Sequence, residues 1–566
     1  MKIKTDLLLI LVILASTALF FQSLLRHLGT GLIDWFDYPY YVWTIYQNIN
    51  HFSSLQFSGF FTTNAFFPLE GTLLFSDLLL PQSVIAWTLS HFLTNFILVF
   101  NLTFLLTLFM NGIAIYFFWN QIFKQKNLVF TGSILLTFSP YFFSQLSHFQ
   151  MISYWPTFFV LGLLFQKQNS LMRSIIIGIF LVIQFLASVY LFVFLATICF
   201  IWYLFKFQDL KFYLVSLLIF SLCAFPFVRS YLQVRDSYKI FRDYGEYVTY
   251  SAQITDYMFT MYQTSTSSSS LGKKWNQYNN HRVGEPAASF GMLISTLMLV
   301  GVFSYKKSKS MFSISFKTTR QSLFFLTILV LGFLFSLGPK LSVNGYFTGI
   351  PLPYAVLLKF FPVFEPIRAT SRWSFLFYIG ATYFAILGLQ KLTTKLSFKT
   401  NLLLNTLVLT IFVLEVFPIK TKYETKFFSP TAYQKISELC HNSTQVLLEY
   451  PLNQTSMEAN VATNLSYKTT QLLSSLSHSC KLVNGYAGYD PEEYQYFESQ
   501  LSQALTAEDR ALFFETIRKQ NVEIIKLNKS DLAEKSALIT KGWLKSNSQL
   551  KILFEDEKHL VVQLLN

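Results

Sequence analysis

Long apolar runs, interrupted by short polar clusters, set the pattern of this chain. Eleven of them read as helices: 7–25, 96–119, 128–144, 151–166, 174–189, 191–206, 212–228, 288–304, 321–337, 372–392 and 401–419. A helix rises about 1.5 Å per residue, so runs of roughly 17 to 25 residues cross a hydrocarbon layer of about 30 Å. The run 76–94, SDLLLPQSVIAWTLSHFLT, is apolar too. It reads as a helix lying in the outer interface, or dipping in and returning, because a twelfth span inverts every loop after it. Beyond residue 425 the period changes to short alternating stretches. Strands are expected at 444–450, 481–485 and 522–527, a helix at 507–519, and a closing hairpin that turns at Asp556-Glu557. The fold class is a polytopic α-helical membrane protein of about eleven spans plus outer interfacial helices. Its domains are 1–425, multi-span, and 426–566, a small extracytoplasmic α/β domain.

Composition agrees with that division. Only 13% of the 566 residues are charged, against the roughly 25% of a soluble fold. After residue 425 there are 14 Lys and Arg against 16 Asp and Glu; before it, 30 against 14. The excess of +14 therefore lies in the greasy part and does not form a nucleic-acid-binding surface. With Lys2 and Lys4 inside, alternation puts Lys124, Lys126, Lys167, Arg173, Lys206, Lys211, Lys306, Lys307, Lys391 and Lys395 inside as well. The positive-inside rule then predicts a plasma-membrane protein with a cytoplasmic N-terminus and an extracytoplasmic tail. The first apolar run is long for a cleaved leader and is kept as a span.

Three segments between spans, 26–95, 229–287 and 338–371, exceed the length of simple connections. In the first, Asp34 and Asp37 lie three apart, followed by Asp77. Two readings of Asp37 stand side by side: an N-cap for a helix starting at Tyr38, and a general base or cation ligand. Asp77 similarly caps the 76–94 helix or takes part in chemistry. His148 sits at a turn between spans, and Glu285 follows a Ser/Thr-rich stretch at 264–270. Arg368 and Arg372, four apart, are expected to share the face of a helical turn, and with Arg229 they are candidates for holding a phosphate. No phosphate-binding Gly-rich loop, His-Glu-x-x-His or Cys-x-x-Cys occurs. No cofactor is required by any motif; a divalent cation, if bound, falls to Asp34 and Asp37. Cys440 and Cys480 are both in the tail and available to each other.

A further set of marks runs the length of the chain: Asp37 with Trp43; Asn64, Phe67-Pro68, Thr72-Leu73 and Ser76-Asp77; Ser139-Pro140-Tyr141 and His148-Phe149-Gln150; Leu352-Pro353-Tyr354; Arg368 and Arg372; and Leu482-Val483-Asn484-Gly485-Tyr486. In this order the chain resembles the GT-C superfamily of integral membrane glycosyltransferases, and more closely a bacterial GT-C-like group. The resemblance implies a polyprenyl-phosphate-linked sugar as donor, a glycan, lipid or protein acceptor, chemistry on the outer face, and Asp37 as the acid of the first loop. Asp34 is offset from the acid pairs of better-known members. The rival expectation is a non-catalytic flippase or scaffold for envelope polysaccharide or glycolipid assembly.

Overall fold

The computed structural model describes residues 2–54, 59–166, 170–206, 210–257, 269–270, 273–274, 291–308, 316–343, 346–417, 430–440, 445–455 and 460–565. The chain forms two compact units. One comprises Met1–Leu25, Phe104–Pro226 and Arg242–Thr421; the other comprises Arg26–Thr103, Phe227–Phe241 and Lys422–Asn566. The tail thus shares its unit with the first long loop.

Among the described residues four helices are long and apolar enough to cross a membrane by length and composition: Phe96–Ile122, Leu210–Ser237, Thr370–Thr393 and Phe398–Val416. Shorter apolar helices occupy Ile10–Phe20, Phe149–Phe165, Leu171–Ala187, Val189–Phe205, Met292–Phe303 and Arg320–Ser336. Each falls within or overlaps one predicted span. The remaining prediction, 128–144, is broken. Its helix stops at Thr137, and a five-residue helix, Pro140–Ser144, restarts with Ser139 accepting from the Phe142 amide at 3.3 Å. Pro140 explains the break, since it donates no hydrogen bond and disfavours helical backbone in the residue before it. The run 76–94 yields only Leu80–Ser90, 11 residues or roughly 16 Å, about half a hydrocarbon layer. In the other direction, helix Leu210–Ser237 outruns its predicted end at 228, which puts Arg229 and Arg235 on a helix and not in a loop.

In the first unit Thr370–Thr393 is the most buried of the four long helices. It packs so closely on two neighbours that side chains are excluded at the contacts. A Cβ on Gly388 would stand 2.1 Å from the Leu297 carbonyl oxygen, and one on Gly301 2.0 Å from that of Phe384. Small residues bring helix backbones together where lipid supplies no hydrophobic drive. Flanking that seam, Phe325 and Tyr383 stack at 3.9 Å.

In the second unit the tail builds a five-stranded sheet in the order β4 (Lys481–Leu482), β3 (Val446–Tyr450), β5 (Ile524–Asn528), β7 (His559–Leu564), β6 (Leu550–Glu555). β3 is parallel to β4 and β5; β5–β7 and β7–β6 are antiparallel. Helices Val461–Ser474, Glu492–Thr506 and Arg510–Lys519 supply the crossovers that parallel pairing demands. Cys440 and Cys480 form a disulfide. All of β3 and β5 is buried. One face joins Val446, Leu448, Tyr450, Ile525 and Leu527 to Phe497, Phe513 and Ile517 in the core.

The opposite face is polar at its centre. Glu449 and Lys526 are register partners on adjacent strands, and Lys526 Nζ donates to Glu449 Oε2 at 2.7 Å, to Tyr433 Oη at 2.9 Å and to Asn528 Oδ1 at 2.8 Å. Tyr433 also donates to Glu449 Oε2 at 2.8 Å, and His478 stacks on the Tyr433 ring. Burial holds the His478 imidazole down at about 4, so it is neutral. Such a pair is tolerable only when both charges are hydrogen-bonded, and removing one leaves the other stranded. Lys526→Met should therefore lower stability by about 3–5 kcal/mol, while Lys526→Met with Glu449→Leu recovers most of the loss. Thermal melting of the full-length protein in detergent checks both.

Candidate active site

The first loop is fastened to the tail along the free edge of β4. Leu482 N–H donates to the Asn64 carbonyl at 2.6 Å, Phe67 N–H to that of Leu482 at 3.0 Å, and Phe66 N–H to that of Asn484 at 3.1 Å. A sheet edge exposes unpaired main-chain groups, and an extended segment satisfies them. Side chains then lock the junction. The Phe66 ring lies 5.0 Å from Tyr494 and 5.5 Å from Phe75. A Cβ on Gly485 would stand 2.3 Å from the Phe66 ring. Asn484 clamps β3 by accepting from Glu449 N–H at 2.8 Å and donating to its carbonyl at 2.7 Å. The Leu482–Tyr486 mark is thereby explained residue by residue, and its last member, Tyr486, is delivered to the acids.

Those acids sit at the start of helix Tyr38–Ser54. The local capping bonds come from Asp34, whose Oδ1 accepts from the Phe36 and Tyr38 amides at 3.0 and 3.4 Å. Asp37 itself holds the position just before the helix. Its carbonyl accepts the first helical bond from Tyr41 N–H at 3.1 Å, while its carboxylate Oδ1 accepts from the Tyr486 hydroxyl at 3.0 Å. Pro39 fits because a first-turn residue needs no donor. One turn along, Tyr40 packs edge-on to Tyr486 at 5.6 Å. Burial, and then the charges of Asp77 and Asp37, push its phenol up to about 12, so it stays protonated.

Asp77 does not cap helix Leu80–Ser90: the N-cap is Leu79, with φ 53° and no side-chain bond. Its turn is held by Asn48, which donates to the Leu78 carbonyl at 2.8 Å and to Ser83 Oγ at 2.9 Å, and by Tyr231, which donates to the Ser76 carbonyl at 2.9 Å. Trp43 and Gln47, further along the same helix, both donate to Asn64 Oδ1, at 3.0 and 2.9 Å. Asp37, Tyr40, Asp77 and Tyr486 thus gather from three distant stretches of one unit. Tyr40 was missed by sequence reasoning, its three-residue spacing from Asp37 being the available signal; Tyr486 was named only as the end of the Leu482–Tyr486 mark, with nothing to tie it to Asp37, 449 positions away. Arg229 belongs to this unit and is exposed on helix Leu210–Ser237.

His148, Arg368 and Arg372 lie in the other unit. His148, half-buried, precedes a 3-10 turn at Phe149–Ile152. The two arginines do not share a helical face. Pro366 precedes them, and only Arg372 enters the 3-10 turn Thr370–Trp373. Arg368 Nη1 lies 3.4 Å from Glu246 Oε2, which Arg242 also approaches at 3.2 Å, and its guanidinium covers the Tyr250 ring at 5.3 Å. Arg372 is buried against Tyr190 at 4.9 Å, and the Tyr190 hydroxyl accepts from Ala369 N–H at 3.2 Å. Glu285 lies outside the described residues. As for a divalent cation, no three His, Cys, Asp or Glu side chains are grouped to hold one among the described residues, and Asp34 is turned to backbone amides.

The family model described as "Domain of unknown function (DUF6311)" matches residues 7–414. The chain belongs to that family. No curated protein matches it. Among solved structures it is similar to the arabinofuranosyltransferase AftD from Mycobacteria, with 11% identity, a TM-score of 0.57, and 99% of this chain covered against 40% of that one. It is also similar to the oligosaccharyltransferase AglB from Archaeoglobus fulgidus, solved with an inhibitory peptide and a dolichol-phosphate. There identity is 13%, the TM-score 0.50, and coverage 93% of this chain and 70% of that one. Both neighbours are GT-C superfamily proteins, and this chain shares their fold while spanning about 40% of the AftD length.

The glycine at the loop–tail junction gives a direct check. Gly485→Ala should cost about 1–3 kcal/mol and speed proteolysis within 26–95, since the methyl meets an aromatic ring. Gly542→Ala, where a Cβ meets nothing, should be neutral or slightly stabilising.

Proposed function

We propose that the protein is a membrane glycosyltransferase that moves a sugar from a polyprenyl-phosphate-linked donor to an acceptor hydroxyl at the outer face of the membrane, with inversion. The observation that carries this reading is the Asp37 carboxylate, presented at a helix start and oriented by the Tyr486 hydroxyl, in a chain with the GT-C fold. Asp37 removes the acceptor proton as that oxygen attacks the anomeric carbon. The bond from that carbon to the phosphate oxygen breaks, and the polyprenyl phosphate leaves with the electron pair. Tyr486 fixes the direction of the carboxylate. Tyr40, kept protonated by burial and by the charges of Asp77 and Asp37, stays neutral beside them. No step is routed through a metal.

The leaving phosphate calls for fixed positive charge. Arg229, in the same unit as Asp37, is proposed for that role; Arg368 and Arg372, expected for it from the sequence, belong to the other unit, where they lie on Tyr250 and Tyr190. The tail and the first loop shape the acceptor side, consistent with their shared unit.

Asp37→Asn should lower transfer from a labelled polyprenyl-phosphate sugar in purified membranes by roughly 10²–10⁴-fold, with membrane insertion unchanged. Tyr486→Phe, which removes one hydrogen bond to a charged group, should lower it by about 10-fold or more. Full transfer by the Asp37→Asn protein sinks the assignment.

A further inference from the structure

Between helix Phe316–Ser336 and the turn at Thr370, the chain forms a hairpin, β1 (Lys340–Val343) and β2 (Tyr346–Pro351), and then a helix, Pro353–Phe360. All of it lies in one unit. Tyr354 pins the helix: it is fully buried, with ring contacts to Phe335 at 6.0 Å, Trp373 at 6.2 Å and Phe364 at 6.3 Å. The rest of the segment turns its apolar side chains outward. Tyr346 is 78% exposed, Phe347 58% and Phe360 63%, with Ile350, Val356 and Phe361 alongside. So many large apolar groups in about twenty residues mark a face that is covered in the working protein.

Charge and connectivity indicate what covers it. From 338 to 364 the segment carries Lys340 and Lys359 and no Asp or Glu. Each end runs into an apolar helix, Arg320–Ser336 on one side and Thr370–Thr393 on the other. The exposed face is therefore continuous with a shorter apolar helix on one side and with one long and apolar enough to span on the other, and lies at one end of each. Aromatic rings with lysines and no acid are the residue set of a membrane–water interface, where rings sit at head-group depth and cations meet anionic lipid. A second copy of this chain would set lysines against lysines.

We propose that the β1–β2 hairpin and helix Pro353–Phe360 form an interfacial anchor, with their rings in the adjacent leaflet and Lys340 and Lys359 at the anionic head groups. This goes beyond the transferase reading and does not rest on it.

The test uses the full-length chain carrying Cys223→Ser, with a nitroxide at Phe347→Cys or Phe360→Cys. Tyr496→Cys, on an exposed stretch of helix Glu492–Thr506, serves as the reference. The protein is placed in vesicles of phosphatidylcholine and phosphatidylglycerol in equal parts. Collision with lipid-soluble oxygen, relative to a water-soluble nickel chelate, should be several-fold higher at both anchor positions than at the reference. Lys340→Glu with Lys359→Glu should lower that ratio. Nickel collision equal to the reference at both positions overturns the proposal. So does shielding from both reagents that fades as protein is diluted with lipid, because the face would then be a contact between copies. Shielding from both that persists on dilution overturns it in favour of another partner.

Discussion

The attachment of Asn64–Phe67 to the edge of β4 is the constraint on which the candidate site depends. Three main-chain hydrogen bonds join segments more than four hundred residues apart. Their geometry leaves no slack, because Phe66 occupies the space that any side chain at 485 would need. Once that edge is closed, Asn64 is fixed beneath Trp43 and Gln47, and Tyr486 is fixed over Asp37. The carboxylate is thus aimed by a residue of the tail, and the tail is in turn held by residues of the first loop. This gives the α/β sheet a mechanical role in placing that carboxylate.

Polar groups in this protein are placed where burial makes them rigid. The Lys526–Glu449 pair has its charges satisfied within the sheet and anchors the strand from which Asn484 hangs. In the other unit, Glu246 is shared by Arg242 and Arg368 while Arg372 lies on Tyr190. Guanidinium planes held by rings keep their charge and lose little freedom on meeting an anion. These are arrangements in which the ordering cost has been met by folding.

Local patterns were legible in the sequence. The strand at TQVLLEY, the helix before Val522, the closing hairpin and most apolar helices fall where periodicity puts them. The acids Asp37 and Asp77 were visible as candidates because carboxylates are uncommon in so apolar a chain. What could not be read was that Asp34 bonds the local amides while Asp37 meets Tyr486 of the tail, since both acids lie within reach of the same helix start. The Arg368–Arg372 spacing misled because helical periodicity was assumed where the backbone only enters a 3-10 turn at Thr370. The break at Ser139-Pro140 was present in the sequence, but hydropathy outweighed it. Long-range pairing of irregular backbone, as at Asn64–Phe67, has no periodic signature at all.

Hydrogen–deuterium exchange of the full-length protein bears most directly on the central claim. If the first loop is bonded to β4, the amides of Phe66, Phe67 and Leu482 should be protected together, on the timescale of the β3 and β5 amides. Exchange of Phe66 and Phe67 at open-loop rates, with β3 and β5 still protected, would contradict the account.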